Sequence, residues 1–158
     1  MLKRYLLVLI IALLAAGGAY ELYTYNRSQS SIADPAQMRL VISGLGDELQ
    51  QVHLYTASST AIAKEIDTYY AFYVHPDLLA KWKADPLNAL GRLTATSRPD
   101  RIDITKVTKV TDDKYVVDVN IVTVTNGVGA TTTSASTAGE FTVVKGLDGW
   151  QITDYKKL

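Results

Sequence analysis

Arg101-Ile-Asp-Ile-Thr-Lys-Val-Thr-Lys-Val-Thr-Asp-Asp-Lys-Tyr115-Val-Val-Asp-Val-Asn-Ile-Val-Thr-Val-Thr125-Asn-Gly-Val-Gly129 decides the fold. From Arg101 onward apolar residues alternate with polar ones, the signature of a half-buried strand, and Val, Ile and Thr dominate. Ile102, Ile104, Val107 and Val110 mark a first strand, and Thr111-Asp112-Asp113 turns the chain. Tyr115 to Thr125 is a second strand, closed by the strong turn signal Asn126-Gly127-Val128-Gly129. A third strand follows, in which the Ser/Thr run from Thr131 to Thr137 reads as half-exposed strand and Phe141, Val143 and Val144 form the apolar end. Gly146-Leu147-Asp148-Gly149 turns again into Trp150-Gln-Ile-Thr-Asp154. Every connection is too short for a crossover, so the four strands form an antiparallel meander.

Upstream the period is helical. Asp34-Pro35-Ala36-Gln37 is a helix start: Asp34 caps, Pro35 suits the first position, and Gln37 completes a capping box. Met38, Val41, Ile42, Leu45, Leu49 and Val52 then recur at helical spacing, predicting helix through about Tyr55. Gly44 and Gly46 each cost such a helix about 1 kcal/mol, which predicts a kink or a close helix contact there. Ser58 and Ser59 cap a second helix carrying Ile62, Ile66, Tyr69, Tyr70 and Tyr73 on one side. Pro76-Asp77 opens a short third helix with Leu78, Leu79 and Trp82, which Asp85-Pro86 ends; Gly91 lies in the loop beyond. Helices followed by an antiparallel sheet make an α+β domain, with N-terminal helices packed on a curved sheet of about four strands.

Ahead of this domain, Lys3 and Arg4 precede an uncharged apolar run that reaches Tyr20. A charge in hydrocarbon costs several kcal/mol, so the run belongs in a bilayer or a translocon. Residues 1–25 read as a transmembrane signal anchor: as helix, Tyr5 to Tyr25 spans about 31 Å, enough to cross, and Tyr20, Tyr23 and Tyr25 suit a lipid–water boundary. The alternative is a signal peptide cut after Gly17-Gly18-Ala19, which would release a secreted protein. Either way Lys3 and Arg4 stay cytoplasmic and the C-terminal part is extracytoplasmic. Residues 26–33 are a polar linker, in which Asn26-Arg27-Ser28 matches a glycosylation sequon by chance composition, and 34–158 form the domain.

Charge and composition narrow the function. The chain has 16 Lys and Arg against 16 Asp and Glu. Lys3, Arg4 and Arg27 fall in the N-terminal part with Glu21 alone among the acids, so the domain is slightly acidic and its charges are scattered. That pattern does not suit nucleic acid, which needs a dense basic face. Cysteine is absent, which excludes disulfides, thiolate nucleophiles, cysteine-held metal and a lipoprotein anchor. No metal or cofactor is expected.

The order of elements resembles the nuclear transport factor 2-like superfamily, whose N-terminal helices pack into a strongly bent, cone-like sheet. Local patterns add to this. His75-Pro-Asp-Leu-Leu-Ala-Lys-Trp-Lys-Ala-Asp-Pro86, Gly91-Arg-Leu-Thr, Arg98-Pro-Asp-Arg-Ile-Asp-Ile104 and Gly149-Trp-Gln-Ile-Thr-Asp154 are similar to small membrane-anchored bacterial proteins of unknown role with this fold. The resemblance covers roughly residues 35–158 and implies the cone but no activity, because the superfamily hosts enzymes, transport factors and secretion scaffolds alike. No catalytic motif of the superfamily matches.

The side chains themselves point weakly to chemistry. His53 and His75 are the two imidazoles, on different helical segments; His53 reads as a surface or cap residue. His75 is the weak acid/base candidate, though its place before Pro76-Asp77 is explained by helix initiation. Asp112-Asp113 suits a turn, and Asp100 and Asp103 flank Arg101 as a solvated ion pair. Tyr69, Tyr70, Tyr73 and Trp82 are the binding candidates: four large aromatics with polar tips, able to line a pocket mouth as well as a core. The expected function is a membrane-tethered extracytoplasmic binding or assembly module, held by its N-terminal helix, with a protein or small apolar ligand as partner and a homodimer left open. The alternatives are an isomerase or hydrolase using an acid/base group in the cone, or a secretion or conjugation scaffold.

Overall fold

The computed structural model describes residues 35–55, 58–126 and 132–158. The apolar segment 1–25, the linker 26–33, the capping residue Asp34 and the Gly127–Gly129 turn lie outside the described residues. Among the described residues no helix is long and apolar enough to cross a membrane. The chain divides into Met1–Ala36 and a compact unit Gln37–Leu158, and the account that follows concerns the second.

Residues 35–48 are helical (α1) and continue into a 3-10 turn, Leu49–Gln51. The helix predicted through Tyr55 therefore stops earlier. Val52 is extended, and His53 forms a parallel bridge with Arg92, with Leu54 N–H donating to Arg92 O and Arg92 N–H to Val52 O. Two long-range backbone hydrogen bonds outweigh the local preference for another helical turn. The two glycines of α1 do mark close contacts. A Cβ on Gly44 would lie 2.4 Å from the Tyr73 ring, and one on Gly46 would lie 3.2 Å from the backbone of Ile102.

Ser58 caps α2, Ser59–Tyr70, by accepting from Ala61 N–H at 3.3 Å. Ile62, Ile66 and Tyr70 form its buried face. His75 caps α3, Pro76–Ala84, with Nδ1 accepting from Asp77 N–H at 3.3 Å. Leu78, Leu79 and Trp82 are buried, and a 3-10 turn, Pro86–Asn88, follows.

The sheet is antiparallel in the order β1-β2-β3-β4: Ser97–Thr111, Lys114–Asn126, Thr132–Gly146 and Gly149–Lys157. β1 starts before the predicted Arg101. It takes in Pro99, which pairs with Thr123, because an edge strand tolerates a missing donor on its outer side. Register irregularities at Pro99/Arg101, Ile104/Lys106 and Lys109/Thr111 interrupt β1, while β2 and β3 pair without a slip. At the other edge Ile152 N–H donates to Tyr73 O and His75 N–H to Ile152 O, so the α2–α3 connector adds a short parallel bridge to β4.

One core joins the helices to one face of the sheet. Met38, Ile42 and Leu45 from α1, Ile66 and Tyr70 from α2, and Val117, Val119, Phe141, Val143 and Ile152 from the strands belong to it. The expected α+β architecture, helices packed on a four-stranded antiparallel sheet, is the architecture observed.

Candidate functional site

Alternation along the strands turns every second side chain toward the helices. Near the end of the sheet that holds the β2–β3 connection, however, no helix among the described residues covers them fully. There a groove of about 680 Å³ opens between α3 with its following loop and the strands. Its floor is Ile121 and Thr123 of β2, Thr137 of β3, and Tyr155 and Lys157 of β4. Its wall is Leu78, Lys81 and Trp82 of α3, followed by Leu87, Leu90 and Leu93. Leu87 and Leu93 are 76% and 66% exposed at its rim.

Backbone and side-chain contacts hold the wall in place. Tyr70 is wholly buried and its hydroxyl donates to Leu90 O at 2.8 Å. Burial, followed by the charges of Glu48 and Glu65, holds its phenol well above the ordinary value of 10.0. The Tyr70 and Trp82 rings meet edge to face at 5.9 Å. Gly91 has a φ of +155°, and a Cβ there would lie 2.8 Å from Val52 O, so the loop presses directly on the segment beyond α1. That segment is tied to α2 by His53, whose N–H donates to Glu65 Oε2 at 2.8 Å.

The floor depends on Gly139. A Cβ there would stand 2.7 Å from the ring of Tyr155, which instead lies across the bare glycine and tilts against Phe141 at 5.2 Å. Half-burial raises the Tyr155 phenol as well.

Of the four aromatics singled out from the sequence, Trp82 lines the groove and Tyr70 supports its wall. Tyr69 and Tyr73 are half-buried against the core, with Tyr73 lying over Gly44 and meeting Phe72 edge to face at 5.2 Å. His75 caps α3, its Nδ1 lying 3.6 Å from an Asp77 carboxylate oxygen, and does not line the groove. No local sequence motif marks Leu87, Leu90, Leu93, Ile121 and Tyr155 as site residues. The only signal for them was an unusual placement: leucines in a polar, turn-rich loop, and a tyrosine beyond the last apolar alternation.

Among the described residues no three His, Asp or Glu side chains gather to hold a metal. The titratable groups of the groove are Lys81, Asp85, Asp154, Tyr155 and Lys157, and Asp85 accepts from Asn88 at 2.7 Å. An apolar trough with a polar fringe can take up an apolar chain or side chain and orient it. Arg101 bridges Asp100 at 2.9 Å and Asp103 at 3.0 Å on exposed β1, as a solvated ion pair.

A smaller crevice of about 270 Å³ lies at the opposite end of the strands, lined by Gln37 and Val41 of α1, Ala71 and Phe72, and Asp148, Trp150 and Gln151. Trp150 is buried there, packs edge to face on Tyr115 at 5.3 Å, and has an indole N–H with no acceptor among the described residues.

No family model and no curated protein matches the sequence. Solved structures with which it aligns include the intermembrane space region of the chloroplast protein ARC6, at 11% identity and a TM-score of 0.42 over 72% of this chain and 91% of that one. A TrwG component of a type IV secretion system from Bartonella birtlesii aligns at 12% identity and a TM-score of 0.37, over 71% and 85%. A SEC-C motif containing protein from Rhodopseudomonas palustris aligns at 12% and 0.34, over 73% and 89%.

Proposed function

We propose that this chain is a membrane-tethered, extracytoplasmic binding module of nuclear transport factor 2-like type, which takes an apolar ligand or an apolar segment of a partner protein into the groove between α3 and the sheet. The groove itself carries this reading. Ligand sites are concave, mostly apolar and fringed by a few polar groups, and this one combines Trp82, Leu78, Leu90, Ile121 and Tyr155 with Lys81 and Lys157 at its edges. Leu87 and Leu93 at the rim expose apolar surface that a bound partner would cover. Two cations followed by an uncharged apolar run support the reading of a tether with the domain on the outer side.

A fluorescent fatty-acid analogue titrated into the detergent-solubilised full chain tests the groove. Binding should weaken by about tenfold in Leu87→Ser, which alters an exposed rim and leaves the core intact, and by more in Trp82→Ala. His75→Ala should bind as the parent does. Equal affinity for the parent and both groove variants would remove the groove as the site.

A further inference from the structure

Strand alternation decides which polar groups face the groove between α3 and the sheet. Phe141 is buried in the core, so Tyr155 opposite it and Lys157 two residues further on share its face. Asp154 is opposite Thr142 and Lys156 opposite Glu140, so these two side chains are turned to the other face of the sheet. From α3, Lys81 lines the wall beside Trp82.

The groups facing inward are chiefly donors. Among the described residues neither Lys81 nor Lys157 makes an ion pair, whereas Lys83 and Lys109 are bridged to Asp67 and Asp112. No hydrogen bond with a described residue engages the Tyr155 hydroxyl, and half-burial keeps that phenol protonated, so its O–H is available to an acceptor. Asp85 is the carboxylate left on this side among the described lining residues, and the Asn88 amide donates to it at 2.7 Å. Two ammonium groups and one phenol therefore stand against a single, already engaged carboxylate, beside a trough formed by Trp82, Leu90 and Ile121. The volume of about 680 Å³ lies within the roughly 300–1,000 Å³ of sites that enclose one small molecule.

We propose that the ligand of this groove is a small anionic amphiphile, with a single hydrocarbon chain laid against Trp82, Leu90 and Ile121 and an acid end, carboxylate or phosphate, held by Lys81, Lys157 and the Tyr155 hydroxyl. This deepens the reading of the groove as a binding site and rests on it. Charge complementarity selects the head: hydrogen bonds between an ammonium and an anionic oxygen are roughly twice as strong as neutral ones. Both lysines are exposed, so little desolvation opposes the attraction.

Tritiated dodecanoate, dodecyl phosphate and dodecanol share one chain length and differ in the head. Each is equilibrated with the full chain in nonionic detergent at about pH 8, where the carboxylate is ionised, and uptake by protein-free micelles is subtracted. At least one of the two acids should bind about tenfold more tightly than the alcohol, and comparing them separates a carboxylate from a phosphate head. Lys81→Gln combined with Lys157→Gln should bring the acids to the affinity of dodecanol. Raising salt from about 0.01 to 1 M shortens the screening length from roughly 30 to 3 Å and should narrow the preference in the parent. Equal binding of acids and alcohol, with both lost in Trp82→Ala, overturns the anionic head and leaves the groove as an apolar site. A preference for the acids that persists in the double lysine variant overturns the proposal as well. Failure of all three to bind overturns the proposal together with the small-ligand reading of the groove. In that case a neutral leucine-rich peptide that binds the parent but not Leu87→Ser assigns the groove to a partner protein. A sedimenting dimer that Leu93→Ser dissociates assigns it instead to a second copy.

Discussion

Replacing Tyr70 by phenylalanine removes one oxygen atom and tests the support beneath the groove wall. The ring stays, so its edge-to-face contact with Trp82 at 5.9 Å is kept. What is lost is the 2.8 Å hydrogen bond to Leu90 O. A hydrogen bond of this kind contributes about 1 kcal/mol net, but stranding its partner in a dry interior costs about 1–3 kcal/mol. Leu90 is 9% exposed, so water reaches its carbonyl poorly and the middle of that range applies. The expected loss is about 2 kcal/mol. For a domain of this size that is roughly 6–10 °C in Tm, at about 3–5 °C per kcal/mol, read by circular dichroism or urea unfolding.

Tyr70 also predicts a pH signature. Burial first, and the charges of Glu48 and Glu65 after it, raise its phenol well above 10.0 in the folded state, whereas the unfolded chain ionises near that value. Between the two values the unfolded state holds fewer protons than the folded one, so stability falls as pH rises. The contribution is fully present below about pH 10 and is lost above it. Tyr70→Phe should flatten that alkaline decline, leaving the smaller contribution of Tyr155. A variant within about 0.5 kcal/mol of the parent, with the same alkaline slope, would show that the Leu90 carbonyl finds another donor and that the wall does not depend on this bond.

Other substitutions probe the remaining links. Trp150→Ala should cost about 3–5 kcal/mol by chemical denaturation, because the side chain is almost fully buried against Tyr115. Gly91→Ala combines a positive φ with a 2.8 Å approach to Val52 O and should cost about 2–3 kcal/mol while weakening probe binding in the groove. Gly139→Ala pushes the Tyr155 ring from its place and should lower affinity for the fatty-acid analogue more than it lowers Tm. His75→Ala removes the cap of α3 and should cost only about 0.5–1 kcal/mol in thermal unfolding.

The strands were legible because each half-buried strand writes its own alternation. Tyr115, Val117, Val119 and Ile121 are all buried on one face, as their spacing requires. The caps at Ser58 and His75 were legible for the same local reason. The end of α1 was not, since Leu49 and Val52 fit a helical period and only their pairing partner, Arg92, far along the chain, draws Val52–Leu54 out of the helix. The start of β1 escaped notice because Pro99 argues locally against a strand and is tolerated only by the edge position that topology assigns. At the site, Trp82 was visible as a large amphipathic side chain. Leu87, Leu93 and Tyr155 have no shared local pattern, because a groove assembled from a helix, a loop and three strands exists only after the chain has folded.

How the sheet treats its two edges narrows the partner the groove can accept. A free edge invites an extended chain to add as a further strand, and both edges here resist it. β1 carries three irregularities, at which Asp100, Thr105 and Val110 have no opposite residue in the β2 register, and these break the regular ladder that an added strand would need. β4 is covered at Ile152 by the connector Tyr73–His75, whose backbone takes both of that residue's outward bonds. Main-chain pairing would therefore be a poor source of affinity for a partner of this domain, and recognition would fall to side chains. The same connector carries Phe72 at one end and leads through Pro76 into α3, the groove wall, at the other. Because it is bonded to β4 between these points, the exposed phenylalanine and the Trp82 wall are fixed to one rigid strand. An occupant of the groove, as proposed, would meet a preformed wall, and its specificity would come from how its apolar surface fits Trp82, Leu90 and Tyr155 rather than from backbone hydrogen bonds.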